Sequence, residues 1–139
     1  MKKLIIILLI MIGMSACGNA QDRGYTDMNV ENFSNYIGKK GVQLVDVRTP
    51  EEYAEGHIAG ALNIDIFDDD FISKALKDLD KSKPVAVYCR SGRRSADAAE
   101  KLSENGYDVT NLLGGILAWE EDKKPVETDS TLSDKHESK

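Results

Sequence analysis

The chain has 139 residues, of which 24 are Asp or Glu and 18 are Lys or Arg, so its formal net charge at pH 7 is −6. An acidic protein has no general electrostatic reason to bind nucleic acid, and we expect no nucleic-acid partner. A chain of this length suits one domain with its own core, which excludes a multidomain enzyme.

The amino-terminal segment predicts a secretory signal. A basic start is followed by an apolar run over residues 4–14 and by small residues before Cys17. This run is too short for the roughly 20 residues that span a bilayer. The sequence from Met14 to Cys17 resembles the lipobox of bacterial lipoproteins, which are cleaved before the cysteine and lipidated on its sulfur. We therefore expect residues 1–16 to be removed, residues 17–24 to form a tether, and the protein to be extracytoplasmic and membrane-anchored, facing the periplasm or the cell surface.

The next part of the chain predicts an α/β domain over residues 25–125. Its predicted strands are residues 42–48, 61–65, 84–89 and 107–113. Three predicted helices have full ranges: 30–37, capped by Asn29, then 70–79 and 95–105. Two more are predicted from their first residues: one is capped by Thr49 with Pro50 in its first position, and one begins at the glycines 114–115. Strands that alternate with helices in this way are typical of a mostly parallel sheet. Residues 126–139 contain one leucine and no aromatic residue, so they predict a polar, disordered tail.

Cys89 lies at the carboxyl end of the most apolar predicted strand, where ligands bind in parallel α/β sheets. The only other cysteine is Cys17, so a lipidated Cys17 would leave Cys89 without a disulfide partner. A helix amino end and nearby cations both favour the reactive thiolate, and the sequence around Cys89 supplies both. Gly92 can adopt a positive φ, which would turn backbone amides toward one point. A buried, inert thiol is the alternative interpretation.

The spacing of the loop separates possible chemistries. Cysteine phosphatases use C-x5-R, whereas Arg94 makes this loop C-x4-R, a tighter cradle that suits a compact sulfane-sulfur donor better than a phosphate ester. No C-x-x-C pair is present for thioredoxin-type exchange. No credible zinc-ligand spacing is present either, and we expect no metal and no organic cofactor.

Three motifs together resemble the single-domain rhodaneses, a family of sulfurtransferases. They are CRSGRRS (89–95), LVDVRTPEEYAEGHIAGALNI (44–64) and NLLGGILAW (111–119). The resemblance covers about residues 25–122, with the motifs in order. It implies the rhodanese-like α/β fold, a mostly parallel five-stranded sheet flanked by helices.

The resemblance also implies a mechanism and a set of site residues. Cys89 would be the nucleophile that takes a sulfane sulfur from thiosulfate or a persulfide and passes it to cyanide or a thiol. A protein thiol is one of the acceptors that the resemblance allows. Arg94 is the first candidate for binding the anionic donor and Arg90 the second. The loop residues expected to bind the substrate are Arg90, Ser91, Gly92, Arg93, Arg94 and Ser95.

Three residues outside the loop are expected to support it. Asp46 and Arg48 share one face of a predicted strand. The resemblance implies an internal ion pair between them, with Glu52 as a candidate third member. His57 is expected to shape the turn into the next strand. The alternative functions are a persulfide carrier or redox-sensing module loaded by a partner protein and, more distantly, a phosphatase or arsenate reductase.

Overall fold

The computed structural model describes residues 24–128. The predicted signal peptide, Cys17 and residues 129–139 lie outside the described residues. The strands are β1 (Tyr25–Met28), β2 (Gln43–Asp46), β3 (Leu62–Asn63), β4 (Val85–Tyr88) and β5 (Val109–Leu112). The helices are α1 (Val30–Ile37), α2 (Pro50–Glu55), α3 (Phe71–Asp78), α4 (Arg93–Glu104) and α5 (Gly115–Glu121). No helix within residues 24–128 is long and apolar enough to cross a membrane.

The strands form one sheet in the order β1-β5-β4-β2-β3, and every pairing is parallel. This confirms the predicted five-stranded α/β architecture. The sequence pattern did not predict β1, because Tyr25–Met28 is short, sits at the sheet edge and exposes its two central residues. Its partner β5 lies far along the chain, so no local pattern signals the pairing.

Both faces of the sheet are covered, which explains the near-continuous apolar sequence of its central strand. All four residues of β4 are buried. Val85 and Val87 point to one side and pack with α3 and α4, whereas Ala86 and Tyr88 point to the other and pack with α1 and α5. The residue after β4, Cys89, therefore emerges at the carboxyl edge between two packed layers.

Two helix starts form as the sequence predicts. The Asn29 side chain accepts a hydrogen bond from the backbone N–H of Asn32 at 2.9 Å, which caps α1. Thr49 and Glu52 form a reciprocal capping box at the start of α2, with Pro50 in the first turn. The capping box fixes the backbone that carries Glu52, which matters for the site described below.

The ordered chain continues past the predicted domain boundary at residue 125. The backbones of His57 and Glu127 exchange two hydrogen bonds of 2.9 and 2.7 Å, and Val126 packs against the core on the α1 side. The indole N–H of Trp119 donates to the carbonyl of Pro125 at 2.9 Å. The predicted boundary is therefore too early, because backbone hydrogen bonds hold this segment and its polar composition gave no sign of them.

Candidate functional site

The Cys89 thiol lies inside the loop of residues 89–95, called the cysteine loop below, which closes around the sulfur. The residue is 1% exposed, and its Sγ accepts hydrogen bonds from the backbone N–H of Gly92 at 3.1 Å and the hydroxyl of Ser95 at 3.3 Å. Ser95 itself is fully buried. One amide and one hydroxyl thus point at the sulfur, a donor arrangement that favours negative charge there.

Gly92 gives the loop its shape. Its φ of +99° is in the left-handed region, as predicted, and it occupies the position just before α4. No side chain caps the amino end of α4, so its free amides face the loop. A Cβ at this position would lie 3.2 Å from the backbone nitrogen of Gly114, which crowds the start of α5. Both the backbone conformation and the space therefore favour glycine.

The paired glycines at the start of α5 allow this helix to dock directly on the cysteine loop. The backbone N–H groups of Ile116 and Leu117 donate to the carbonyls of Cys89 and Arg90 at 2.9 and 3.1 Å. A Cβ on Gly115 would overlap those same two carbonyl groups. The GG pair in the third motif thus positions the backbone of Cys89 and Arg90, a role that the sequence pattern alone did not show.

Arg94, the first candidate for donor binding, is not a free cation. Its Nη1 and Nη2 donate to the two carboxylate oxygens of Glu52 at 2.7 and 2.9 Å, and its guanidinium lies 5.5 Å from the centre of the Phe67 ring. The hydrogen bond from Arg94 is the main reason that the pKa of Glu52 falls to about 2. The two terminal nitrogens of Arg94 thus bind Glu52, and a role in donor binding, which stays a prediction, would use its remaining N–H groups.

The other loop side chains differ in exposure. Arg90, Ser91 and Arg93 are exposed, and neither of these two arginines forms an ion pair with any residue in the range 24–128. Arg90 directly follows Cys89 and lines the cleft beside the loop. It is therefore the loop cation most available to an incoming anion.

Asp46 and Arg48 form the predicted internal ion pair, with an Nη2–Oδ2 distance of 2.7 Å and both side chains buried. Arg48 also donates to the carbonyl of Gly56 at 2.6 Å, which fastens the end of α2. Glu52 makes its ion pair with Arg94, so its expected membership in this pair is corrected. Below the pair, the buried Tyr88 hydroxyl accepts the Ile58 N–H, and burial is the main cause that raises the pKa of Tyr88.

His57 makes the contacts of a structural residue. It is 2% exposed, its ring stacks on Tyr53 with centroids 3.8 Å apart, and its Nδ1 lies 3.0 Å from the Tyr53 carbonyl oxygen. Its backbone carries the bridge to Glu127. These contacts account for the side chain without a role in the chemistry of the thiol.

A cleft of about 220 Å³ lies beside the cysteine loop. Its lining residues are Arg48, Glu52, Glu55, Gly56, Arg90, Ile116, Leu117 and Glu120. The sequence analysis assigned no site role to Glu55, Gly56, Ile116, Leu117 or Glu120, because residues from two distant helices come together only in the fold. Within residues 24–128, no group of three or more His, Cys, Asp or Glu side chains is placed to hold a metal ion.

A parallel α/β sheet that presents a cysteine in a glycine-containing loop at a helix amino end is typical of enzymes that use a cysteine thiol. Residues 29–122 match the family model of the rhodanese-like domain. The chain belongs to the rhodanese-like domain family and is a rhodanese-type sulfurtransferase.

Relatives and solved structures agree with this assignment. The chain is 42% identical over 102 residues to a sulfurtransferase of Allochromatium vinosum, which covers 72% of this chain and 92% of that protein. It is 33% identical over 98 residues to the thiosulfate sulfurtransferase GlpE of Shewanella oneidensis, covering 70% and 94%. A rhodanese-related protein of Thermoplasma volcanium has a similar crystal structure, with a TM-score of 0.67, 35% identity, and coverage of 76% and 100%.

Proposed function

We propose that Cys89 carries the transferred sulfur as a persulfide between an anionic donor and a nucleophilic acceptor. In the first half-reaction the Cys89 thiolate attacks the outer sulfur of thiosulfate. A new S–S bond forms, the S–S bond of thiosulfate breaks, and sulfite leaves with the electron pair. The enzyme is left as Cys89–S–S⁻, and the total charge is unchanged. A small persulfide can serve as donor in the same way, with its thiolate as the leaving group.

The observation that carries the proposal is the pair of donors aimed at Sγ. The Gly92 amide at 3.1 Å and the Ser95 hydroxyl at 3.3 Å favour a negative charge on the buried sulfur. The amino end of α4 adds its partial positive charge at the same point. The same groups would stabilise the charge of the persulfide, as preorganised donors do for oxyanions.

The second half-reaction needs an acceptor from outside the chain. The sequence holds one cysteine besides Cys89, and that is the predicted lipidation site Cys17. Cyanide or an external thiolate would attack the outer sulfur, the bond to Sγ would break, and Cys89 would return as a thiolate. Two half-reactions through one covalent intermediate make a ping-pong scheme.

Intact mass spectrometry of residues 24–139 tests the proposal. We expect thiosulfate to add one sulfur atom to the wild-type protein and none to Cys89→Ser, and cyanide to remove it. Wild-type protein that gains no sulfur from thiosulfate or from a small persulfide would contradict the small-molecule enzyme.

One surface feature favours the alternative of a carrier loaded by a partner protein. Phe67 is 66% exposed at the rim of the site, beside the Arg94 guanidinium. Exposed aromatic side chains next to arginine are common at protein contacts. Loading that occurs only from a protein persulfide, with small donors inactive, would support the carrier.

We also propose that Cys17 anchors the protein to a membrane outside the cytoplasm, on the resemblance of residues 14–17 to a lipobox. Metabolic labelling with a radioactive fatty acid tests this. We expect the label on the wild-type chain and not on Cys17→Ala, which should leave the membrane fraction. Equal labelling of both chains would contradict the anchor.

A further inference from the structure

The cleft beside the cysteine loop carries two carboxylates that the proposed persulfide chemistry does not use, and it shares Arg90 with the site expected to bind the donor. Arg90 comes from the loop, Glu55 is the last residue of α2, and Glu120 lies in α5. Ile116 and Leu117 form an apolar wall between these elements. The same two residues donate their backbone N–H groups to Cys89 and Arg90, so the wall is fixed to the loop.

The charged residues of the cleft fall into two groups. Arg48 is neutralised by Asp46, and Glu52 is neutralised by Arg94. Arg90, Glu55 and Glu120 form no ion pair with each other or with any other residue between 24 and 128. One cation and two carboxylates thus line the same cleft, and none of the three is paired with another.

We propose that this cleft binds the acceptor, and that the preferred acceptor is a thiol that carries both an ammonium and a carboxylate group, an amino-acid or short-peptide thiol. Arg90 would hold the carboxylate, Glu55 and Glu120 would hold the ammonium, and the Leu117 wall would contact the short carbon chain. The cleft volume of about 220 Å³ suits a molecule of that size. The proposal rests on the proposed function, because it needs a persulfide on Cys89.

The transfer step is balanced without any further reactant. The acceptor thiolate, whose proton has gone to solvent, attacks the outer sulfur of Cys89–S–S⁻. A new S–S bond forms on the acceptor, the bond to Sγ breaks, and its electron pair stays on Cys89. The products are an acceptor persulfide and the Cys89 thiolate, with the same total charge as the reactants.

Single-turnover discharge of the loaded protein tests the assignment. Four acceptor thiols distinguish the effect of the ammonium group from that of the carboxylate. Cysteine carries both groups, cysteamine only the ammonium, 3-mercaptopropionate only the carboxylate, and 2-mercaptoethanol neither group. For each acceptor, the ratio of variant to wild-type rate at subsaturating concentration cancels the intrinsic reactivity of the thiol. The variants are Glu55→Gln and Glu120→Gln, singly and together, and Arg90→Gln.

We expect the double variant Glu55→Gln/Glu120→Gln to discharge more slowly to cysteamine and cysteine, relative to 2-mercaptoethanol. The expected slowing is about two- to five-fold for each lost ion pair, which corresponds to the usual strength of exposed ion pairs. Discharge to 3-mercaptopropionate should become faster, because a repulsion is removed. Arg90→Gln should slow cysteine and 3-mercaptopropionate but not cysteamine. The control Glu121→Gln removes the same charge from an exposed neighbour that lines a different cleft, and it should change no ratio.

Equal ratios for all four acceptors, or the same pattern in Glu121→Gln, would overturn the assignment of the cleft. The three tested side chains are exposed, and a thermal melt of each variant shows that it folds. Failure of the wild-type protein to take up sulfur at all would overturn the proposed function instead. The two failures are therefore distinguishable in one set of samples.

Discussion

Arg94 and Glu52 are joined at two points, with Nη1–Oε1 and Nη2–Oε2 distances of 2.7 and 2.9 Å. The pair connects the first turn of α4, just after the cysteine loop, to the first turn of α2. Glu52 is held on its own side by the capping box with Thr49, so the position of Arg94 depends on how another helix begins.

This pair should contribute measurably to stability. Its side chains are 23% and 27% exposed and its geometry is bidentate, so we expect a coupling energy of about 1 kcal/mol between Arg94→Ala and Glu52→Ala in a double-mutant cycle. The exposed i,i+4 pair of Lys101 and Asp97 is the matched control, for which we expect a coupling energy of about 0.3–0.5 kcal/mol. Urea unfolding measures both cycles. A coupling no larger than that of the control would show that the pair is merely a surface contact.

The pair should also make stability depend on pH. The pKa of Glu52 is lowered from 4.5 to about 2 in the folded protein, first through its hydrogen bond from Arg94. A lowered folded-state pKa gives stability that is present above the unfolded value and is lost as pH falls. The stability difference between wild type and Glu52→Gln should therefore be constant above pH 4.5 and shrink between about 4.5 and 2. A difference that stays constant down to pH 2 would contradict the shift.

Removal of the Ser95 hydroxyl should slow persulfide formation. The hydroxyl donates to Cys89 Sγ at 3.3 Å, and one hydrogen bond is worth about 1 kcal/mol, so Ser95→Ala should load from thiosulfate roughly five-fold more slowly. Stopped-flow loading at saturating thiosulfate measures the rate. Ser73→Ala, an exposed serine on α3, is the control for a general effect of serine removal. Unchanged loading in Ser95→Ala would show that the contact does not act on the thiolate.

A methyl group on Gly115 should disrupt the contact between α5 and the cysteine loop. Its Cβ would overlap the Cys89 and Arg90 carbonyl groups, so Gly115→Ala should cost about 1–3 kcal/mol beyond the strain of a positive φ. Gly41→Ala is the matched control, because Gly41 also has a positive φ and a Cβ there meets nothing within 4 Å. Denaturant unfolding compares the two variants. Equal losses of stability would mean that the helix can shift to make room.

The features that the sequence predicted well are those encoded locally. The buried strand before Cys89, the positive φ of Gly92 and the Thr49 helix cap each depend on neighbouring residues, and each forms as expected. The second half of the capping box, in which the Glu52 carboxylate accepts the Thr49 N–H, was not predicted. The Asp46–Arg48 pair, which the family resemblance implied, forms between the last residue of β2 and the residue two positions beyond it.

The features that it did not predict depend on residues far apart. Glu52 and Arg94 are 42 positions apart, and no spacing rule connects them. Strand β1 is defined by its pairing with β5, which no local pattern shows. The need for glycine at position 115 depends on the contact between α5 and the cysteine loop, because a Cβ there would clash with the carbonyl groups of Cys89 and Arg90.

The parallel sheet has one further consequence. Tyr25, the first residue of β1, pairs with the first residue of the parallel strand β5, so the chain enters the sheet at the amino ends of the strands. Cys89 follows β4 and lies at the carboxyl ends. A lipid on Cys17, as proposed above, would therefore be attached to the chain on the amino side of the sheet. The proposed anchor and the Cys89 thiol would then not compete for the same side of the domain.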